Sequence, residues 1–313
     1  MKIGLDVMGG DYAPEATVLG AIKALDHLSK EHRLVLIGDS EKILTILRRE
    51  NIDPSSFGLT HTSDHIEMGD HPSKAFTQKP GSSIAIGYKM LREGEIHGFA
   101  SAGNTGAMLV GIRYSVKEIP GIIRPAIASV IPTLSGGATI LLDVGINPDS
   151  RPDVLYQYGI LGSLYAEHVL NIENPRVGLL NIGTEESKGN LIAKSTYDLM
   201  KDTNDFNFVG NVEGNDFFRD DKVDVIVCDG FVGNVVLKAM EAFYTMIRER
   251  EVKDSFFDRF NFENYGGTPI LGINSNVVIG HGISNDIAIK NMILLTGEVA
   301  KANLTEKINA VFT

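Results

Sequence analysis

Seven short stretches of this 313-residue sequence join Gly to Asn, Asp, Thr, Ser or Glu, the residue types that hold and orient a small polar ligand. They are Met8-Gly9-Gly10-Asp11, Ser101-Ala102-Gly103-Asn104-Thr105-Gly106, Asp143-Val144-Gly145-Ile146-Asn147, Asn181-Ile182-Gly183-Thr184-Glu185, Gly210-Asn211-Val212-Glu213-Gly214, Asp229-Gly230-Phe231-Val232-Gly233-Asn234 and His281-Gly282-Ile283-Ser284-Asn285. Gly lets backbone come close to a ligand, and the N–H groups that open a helix attract an anion. The turn geometry of a strand-to-helix connection explains any one of these loops without a ligand. The repeated pairing of Gly with polar side chains is what points to a binding cleft.

Individual side chains carry competing readings. Lys188, just after Thr184-Glu185-Glu186-Ser187, is either an anion ligand or a surface lysine paired with a glutamate. His281, between an apolar run and Gly282, suits an acid/base role or a structural hydrogen bond equally well. Cys228 ends the apolar run from Val223 and reads as a buried structural thiol rather than a nucleophile. His61, Asp64, His65, Glu67, Asp70 and His71 have the chemistry of zinc or manganese ligands. No helical pattern puts His61 and His65 on one face, so the reading is a solvated polar loop and no metal. The dinucleotide fingerprint, the P-loop, His-Glu-x-x-His and Gly-x-Ser-x-Gly are all absent.

The elements that must position these loops follow from periodicity. Strand patterns cover Lys2–Val7, Arg33–Ile37, Ile96–Ala100, Ala126–Ile131, Thr139–Val144, Arg176–Ile182, Phe206–Val212, Val223–Cys228 and Asn276–Ile279. Helical patterns cover Pro14–Leu28, Ile84–Leu91, Thr105–Val116, Val154–Val169, Leu191–Met200, Val235–Arg250 and Asn285–Ile308, with a further helix capped by Ser40. Alternating strands and helices predict an α/β fold with a largely parallel sheet, and the near-continuous apolar strands predict helices on both faces. In such sheets ligands bind beyond the carboxyl ends of the strands. The Gly-rich loops begin where strand patterns stop. With no linker or charge block, one α/β catalytic domain over residues 1–313, in two lobes around a cleft, is expected.

Composition narrows the class. The net charge of −11 argues against a nucleic-acid coat, one Cys excludes a disulfide framework, and no apolar run is long enough to span a bilayer. With no secretory signal pattern at Met1, the expected location is cytoplasmic. The stretch from Phe243 to Phe262 is rich in aromatics but balances its basic and acidic residues, which reads as a core or dimer-contact helix, not a polybasic membrane helix.

Taken in order, several motifs form a recognisable series: Asp6-Val7-Met8-Gly9-Gly10-Asp11, Ser101 to Ala107, Arg124-Pro125-Ala126, Leu141 to Gly145 with Asn147, Pro175 to Glu185, Asp229 to Val235 with Leu237-Lys238, and Tyr265-Gly266-Gly267. The series resembles the bacterial phosphate acyltransferases of phospholipid synthesis, from about residue 1 to 290. The resemblance implies a three-layer α/β/α fold related to phosphotransacetylases and isocitrate-type dehydrogenases, a homodimer, and no metal or nucleotide cofactor. It implies transfer of a fatty acyl group from acyl-carrier protein to inorganic phosphate. The acyl phosphate then feeds a membrane glycerol-phosphate acyltransferase, which raises the prospect of a peripheral position at the inner membrane face.

Two departures stand out. Family members commonly carry Arg where Thr77 stands, with Lys79 the nearby charge here, and the segment before Tyr265 is shorter than the helical hairpin of many relatives.

On that resemblance Lys188 becomes the candidate phosphate cation, and Asp229 or His281 the group that orients phosphate or moves a proton. Backbone N–H groups at Gly103–Gly106 and Gly230–Gly233 are expected to hold phosphate or the thioester oxyanion, beside Ser101, Asn104, Thr105 and Thr184. Asn147, Asn181, Asn211 and Asn234 are candidate neutral donors, with Asp143, Glu185 and Glu213 as carboxylates that orient them. Alternatives are a phosphotransacetylase-like enzyme using acyl-coenzyme A, a metal- and nicotinamide-dependent dehydrogenase, and a non-catalytic lipid-regulatory binding protein. A minority of cations, with Lys74, Lys79, Arg113, Arg124 and Lys188 foremost, must offset the acidic balance where anions bind.

Overall fold

The computed structural model describes residues 1–29 and 31–312. Its strands are β1 (Lys2–Asp6), β2 (Arg33–Gly38), β3 (Gly58–His61), β4 (Gly98–Ser101), β5 (Ala126–Pro132), β6 (Ala138–Leu142), β7 (Arg176–Leu180), β8 (Asn207–Val212), β9 (Val225–Val227), β10 (Thr268–Leu271) and β11 (Asn276–Ile279). Its helices are α1 (Glu15–Leu25), α2 (Ser40–Arg49), α3 (Pro72–Gln78), α4 (Ser83–Arg92), α5 (Thr105–Gly111), α6 (Pro152–His168), α7 (Leu191–Met200), α8 (Gly230–Glu249), α9 (Ser255–Asp258), α10 (Asp286–Lys301) and α11 (Leu304–Phe312).

The chain forms two compact units built from interleaved segments. The first takes Met1–Glu118 and Phe262–Thr305; the second takes Ile119–Asn261 and the tail from Glu306. In the first unit the strand order is β3-β2-β1-β4-β11-β10, all parallel except β10, which runs antiparallel to β11. In the second it is β5-β6-β9-β7-β8, all parallel except β5. The predicted α/β class with a largely parallel sheet is therefore observed.

Packing explains why these sequences make these elements. Ile3, Leu5, Leu34 and Leu36 are buried between layers, as strands covered on both faces must be. In the first unit α1 lies tightly on α10: a Cβ at Gly20 would sit 2.6 Å from Ile289 Cβ. In the second unit α6 uses Gly159 against Phe206 in the same way.

Several boundaries differ from the periodic reading. Asp39, not Ser40, caps α2, its carboxylate accepting the N–H groups of Glu41 and Lys42. The predicted helix Asn285–Ile308 is two helices, because Asn303 adopts a left-handed φ of 50° that Asn tolerates. α8 begins at Gly230 rather than Val235. β3, α3 and β10 were not marked by periodicity.

Candidate active site

In the second unit β6, β9, β7 and β8 run parallel, so their carboxyl ends bring residues 143–147, 229–234, 181–188 and 211–213 to one edge. Asp143 is fully buried there. Its carboxylate accepts the N–H groups of Ile127 at 3.1 Å and Asn147 at 2.7 Å, and the Asn147 amide at 3.2 Å. Burial raises its pKa and these hydrogen bonds pull the other way. Asn147 also donates to the Pro125 carbonyl at 2.7 Å, and its own carbonyl accepts the Gly230 N–H at 2.8 Å. Asp143 and Asn147 thus fasten the loop after β6 to the first turn of α8.

That contact explains the glycines of α8. A Cβ at Gly230 would sit 2.6 Å from Asp143 Oδ2, and one at Gly233 would collide with the Asp143 carbonyl oxygen. Gly145 takes a φ of 130°, open only to Gly, and its α-carbon faces the Asn234 carboxamide. Asp229 caps α8, its Oδ1 accepting the Val232 N–H at 2.8 Å. The expectation that N–H groups of Gly230–Gly233 hold an anion therefore meets occupied donors: Gly230, Val232 and Gly233 already donate to Asn147, the Asp229 carboxylate and the Asp229 carbonyl.

The other two loops at this edge are tied together by amides. Asn181 donates to Asn211 Oδ1 at 3.1 Å and the Lys188 carbonyl at 3.3 Å, and Asn211 donates to the Glu185 carbonyl at 2.9 Å. Both carboxamides build the loop. Glu213 closes β8 with its N–H on Asp216 Oδ2 at 3.1 Å. Thr184, Glu185 and Lys188 stand exposed. The Lys188 ammonium lies 3.9 Å from Glu185, a loose surface pair.

The first unit has its own edge, where the segments after β1, β4 and β11 meet. The Asp11 N–H donates to the Gly282 carbonyl at 2.8 Å. Asp6 is buried and accepts the Met8 N–H at 3.0 Å and the Ser101 hydroxyl at 2.7 Å. Ser101 in turn accepts the Gly103 N–H at 3.0 Å, so a carboxylate and a hydroxyl set this turn from below. Asn104 caps α5 through Ala107 at 2.9 Å and donates to the carbonyls of Glu67, Met68 and Asp70. Thr105 is exposed and Gly106 presses against Pro72. His281 packs its ring 5.3 Å from that of Phe262. Sequence reasoning missed the anchoring role of Asp6; its signal is a charged residue closing an otherwise apolar strand.

Other candidates resolve plainly. Lys79 donates to Asp70 at 2.8 Å and the His65 carbonyl at 3.0 Å, so its charge is held locally. His65 pairs with Glu67 at 2.9 Å, and among the described residues no three His, Cys, Asp or Glu side chains gather into a metal-ligand group. Cys228 is buried, which pushes its thiol well above the ordinary value and disfavours the thiolate. Among the described residues no helix is long and apolar enough to cross a membrane.

Residues 1–307 match the family model described as fatty acid synthesis protein. A phosphate acyltransferase of Dictyoglomus thermophilum is 40% identical, the match covering 98% of this chain and 96% of that protein. One from Bacillus cereus is 39% identical over 99% and 98%. This chain belongs to the phosphate acyltransferase family. The family is one of transferases of lipid biosynthesis, as the motif series implied.

Solved structures agree on the fold. A phosphotransacetylase of Staphylococcus aureus superposes with a TM-score of 0.64 at 16% identity, covering 96% of this chain and 94% of that one. A branched-chain phosphotransacylase of Enterococcus faecalis gives 0.64 at 14% identity, over 96% and 99%. A 4-hydroxythreonine-4-phosphate dehydrogenase of Klebsiella pneumoniae gives 0.57 at 12%, again over 96% and 99%. The expected kinship of fold with phosphotransacetylases is thereby met.

Proposed function

We propose that this protein transfers a fatty acyl group from the thioester of acyl-carrier protein to inorganic phosphate, releasing acyl phosphate. A phosphate oxygen attacks the thioester carbonyl, the carbon–sulfur bond breaks, and the proton of hydrogen phosphate ends on the departing thiolate. A thioester is already activated, so no enzyme nucleophile is needed, in keeping with the raised Cys228 thiol. Holding phosphate against the carbonyl is the main requirement, and proximity alone supplies up to about 7–11 kcal/mol.

The observation that carries the reading is the division of labour at the second unit's edge. Asp143, Asn147, Asn181 and Asn211 are spent on fixing the loops, while the Lys188 ammonium projects from them. Lys188 holds phosphate, with Thr184 and Asn234 as neutral donors. Arg124, exposed next to the Pro125 carbonyl that Asn147 grips, adds a second cation. Asp229 or His281 is the group proposed to orient phosphate or carry the proton.

The proposed assembly is a homodimer that takes an acyl-carrier protein and hands its product to a membrane acyltransferase. The second reading is a short acyl-coenzyme A donor, favoured by the phosphotransacetylase fold. Supplying both donors at equal concentration decides between them: preference for the carrier protein is expected, and preference for the coenzyme A ester overturns the donor assignment.

A further inference from the structure

α8 is held by its own unit at two places. Its buried residues are Gly230 and Gly233 in the first turn and Ile247 near the end. Between them its inward face does not close. An apolar groove of about 580 Å3 runs along Val236 and Met240 of α8, walled by Phe217 and Phe218 after β8, by Phe257 of α9 and by Phe260 just beyond it. None of the residues lining it carries a charge. The groove is open to solvent on one side, where Leu134 and Phe243 of its lining are exposed. An uncharged apolar surface left facing water marks a place for a partner or ligand, and the volume falls within the range of about 300–1,000 Å3 for small-molecule sites.

We propose that this groove holds the hydrocarbon tail of the acyl group, a reading that rests on the function proposed above. The path of α8 selects this occupant, because the helix starts at the candidate loops and its later turns line the groove. Starting from Gly233, which touches Asp143, positions 236, 240, 244 and 247 recur at helical spacing, so one stripe of α8 runs from the loops into the groove. At ~1.5 Å per residue, Val236 to Ile247 spans about 16 Å, the length scale of a fatty acyl chain. On the opposite wall the lining begins at Gly214, the residue after Glu213. The carbonyl end lies at the loops, and the tail lies under α8. Each buried methylene then contributes about fourfold in affinity, which favours long chains.

The chain contains no Trp, so Phe257→Trp creates a single fluorophore in the groove wall. Brominated palmitate is expected to quench it and to leave a control, Tyr114→Trp in the first unit, unchanged; Phe260→Trp replaces Phe257→Trp if that variant does not fold. Ala239→Phe, which fills the groove, is expected to lower the ratio of palmitoyl to butyryl transfer by roughly tenfold or more. Quenching without turnover on any donor supports the groove as the tail site and rejects the proposed reaction. Turnover with no quenching and an unchanged chain-length ratio overturns the tail site and leaves the reaction standing. An emission that follows protein concentration and ignores palmitate shows a second copy of the chain in the groove, and also overturns it.

Discussion

At the residue scale, the polar side chains near the second unit's edge divide into those that build and those that project. Lys188 projects, and its loose contact with Glu185 contributes little to folding. Lys188→Ala is expected to keep the thermal midpoint and to lower kcat/KM for phosphate by about thirty-fold, the loss of one charge-assisted bond worth roughly 2 kcal/mol. Unchanged saturation by phosphate removes Lys188 from the site. Asp6 shows the opposite behaviour. Burial raises its pKa above the ordinary 3.8 despite the Ser101 and Met8 hydrogen bonds. Its folded pKa lies above its unfolded one, so its stabilising contribution is full below 3.8 and is lost as pH rises through the raised value. Relative to Asp6→Asn, the native protein should therefore be most stable in acid and lose that advantage toward neutrality in denaturant titrations. A pH-independent difference contradicts the assignment. The sequence placed Asp6 in a Gly-containing motif and Lys188 three residues beyond another. Asn104 was legible as a polar loop residue, but its amide's partners, Glu67, Met68 and Asp70, lie far back along the chain, and no local pattern shows which way a carboxamide turns.

At the element scale, α8 links the loops to the groove. Periodicity found its exposed length but not its start, because Gly230 and Gly233 read as loop residues until Asp143 and Asn147 are seen against them. β5 and β10 were harder: alternation of apolar residues does not distinguish a parallel from an antiparallel neighbour. Asp229 is both the cap of α8 and a candidate for proton work, and two substitutions separate the roles. Asp229→Ala is expected to destabilise the protein by about 1 kcal/mol through loss of the cap. Asp229→Asn keeps the cap and the thermal midpoint while removing the charge. A drop in turnover for Asp229→Asn supports a chemical role, and full activity reduces Asp229 to a cap.

At the scale of the whole molecule, the net charge of −11 opposes the capture of anionic substrates, so exposed cations must act locally. Arg124 and Lys188 of the second unit are exposed, whereas Lys79 of the first is held by Asp70. Screening by salt, with a Debye length of about 8 Å at physiological strength, weakens such local attraction. kcat/KM for an acidic acyl-carrier protein is therefore expected to fall as salt is raised, and a rise would show that the net acidic field governs encounter. The α/β class was legible because strand and helix periods alternate along the chain. The bounds of the two units were not marked, because the chain returns to the first unit at Phe262 with no linker or change of composition. The central claim is the reaction itself, and the direct measurement is hydroxylamine trapping with the purified protein and a long-chain acyl-carrier protein. Trapped hydroxamate that forms only when phosphate is present, with matching loss of thioester, is the predicted result. Intact thioester in the presence of phosphate, with no hydroxamate, would contradict the account.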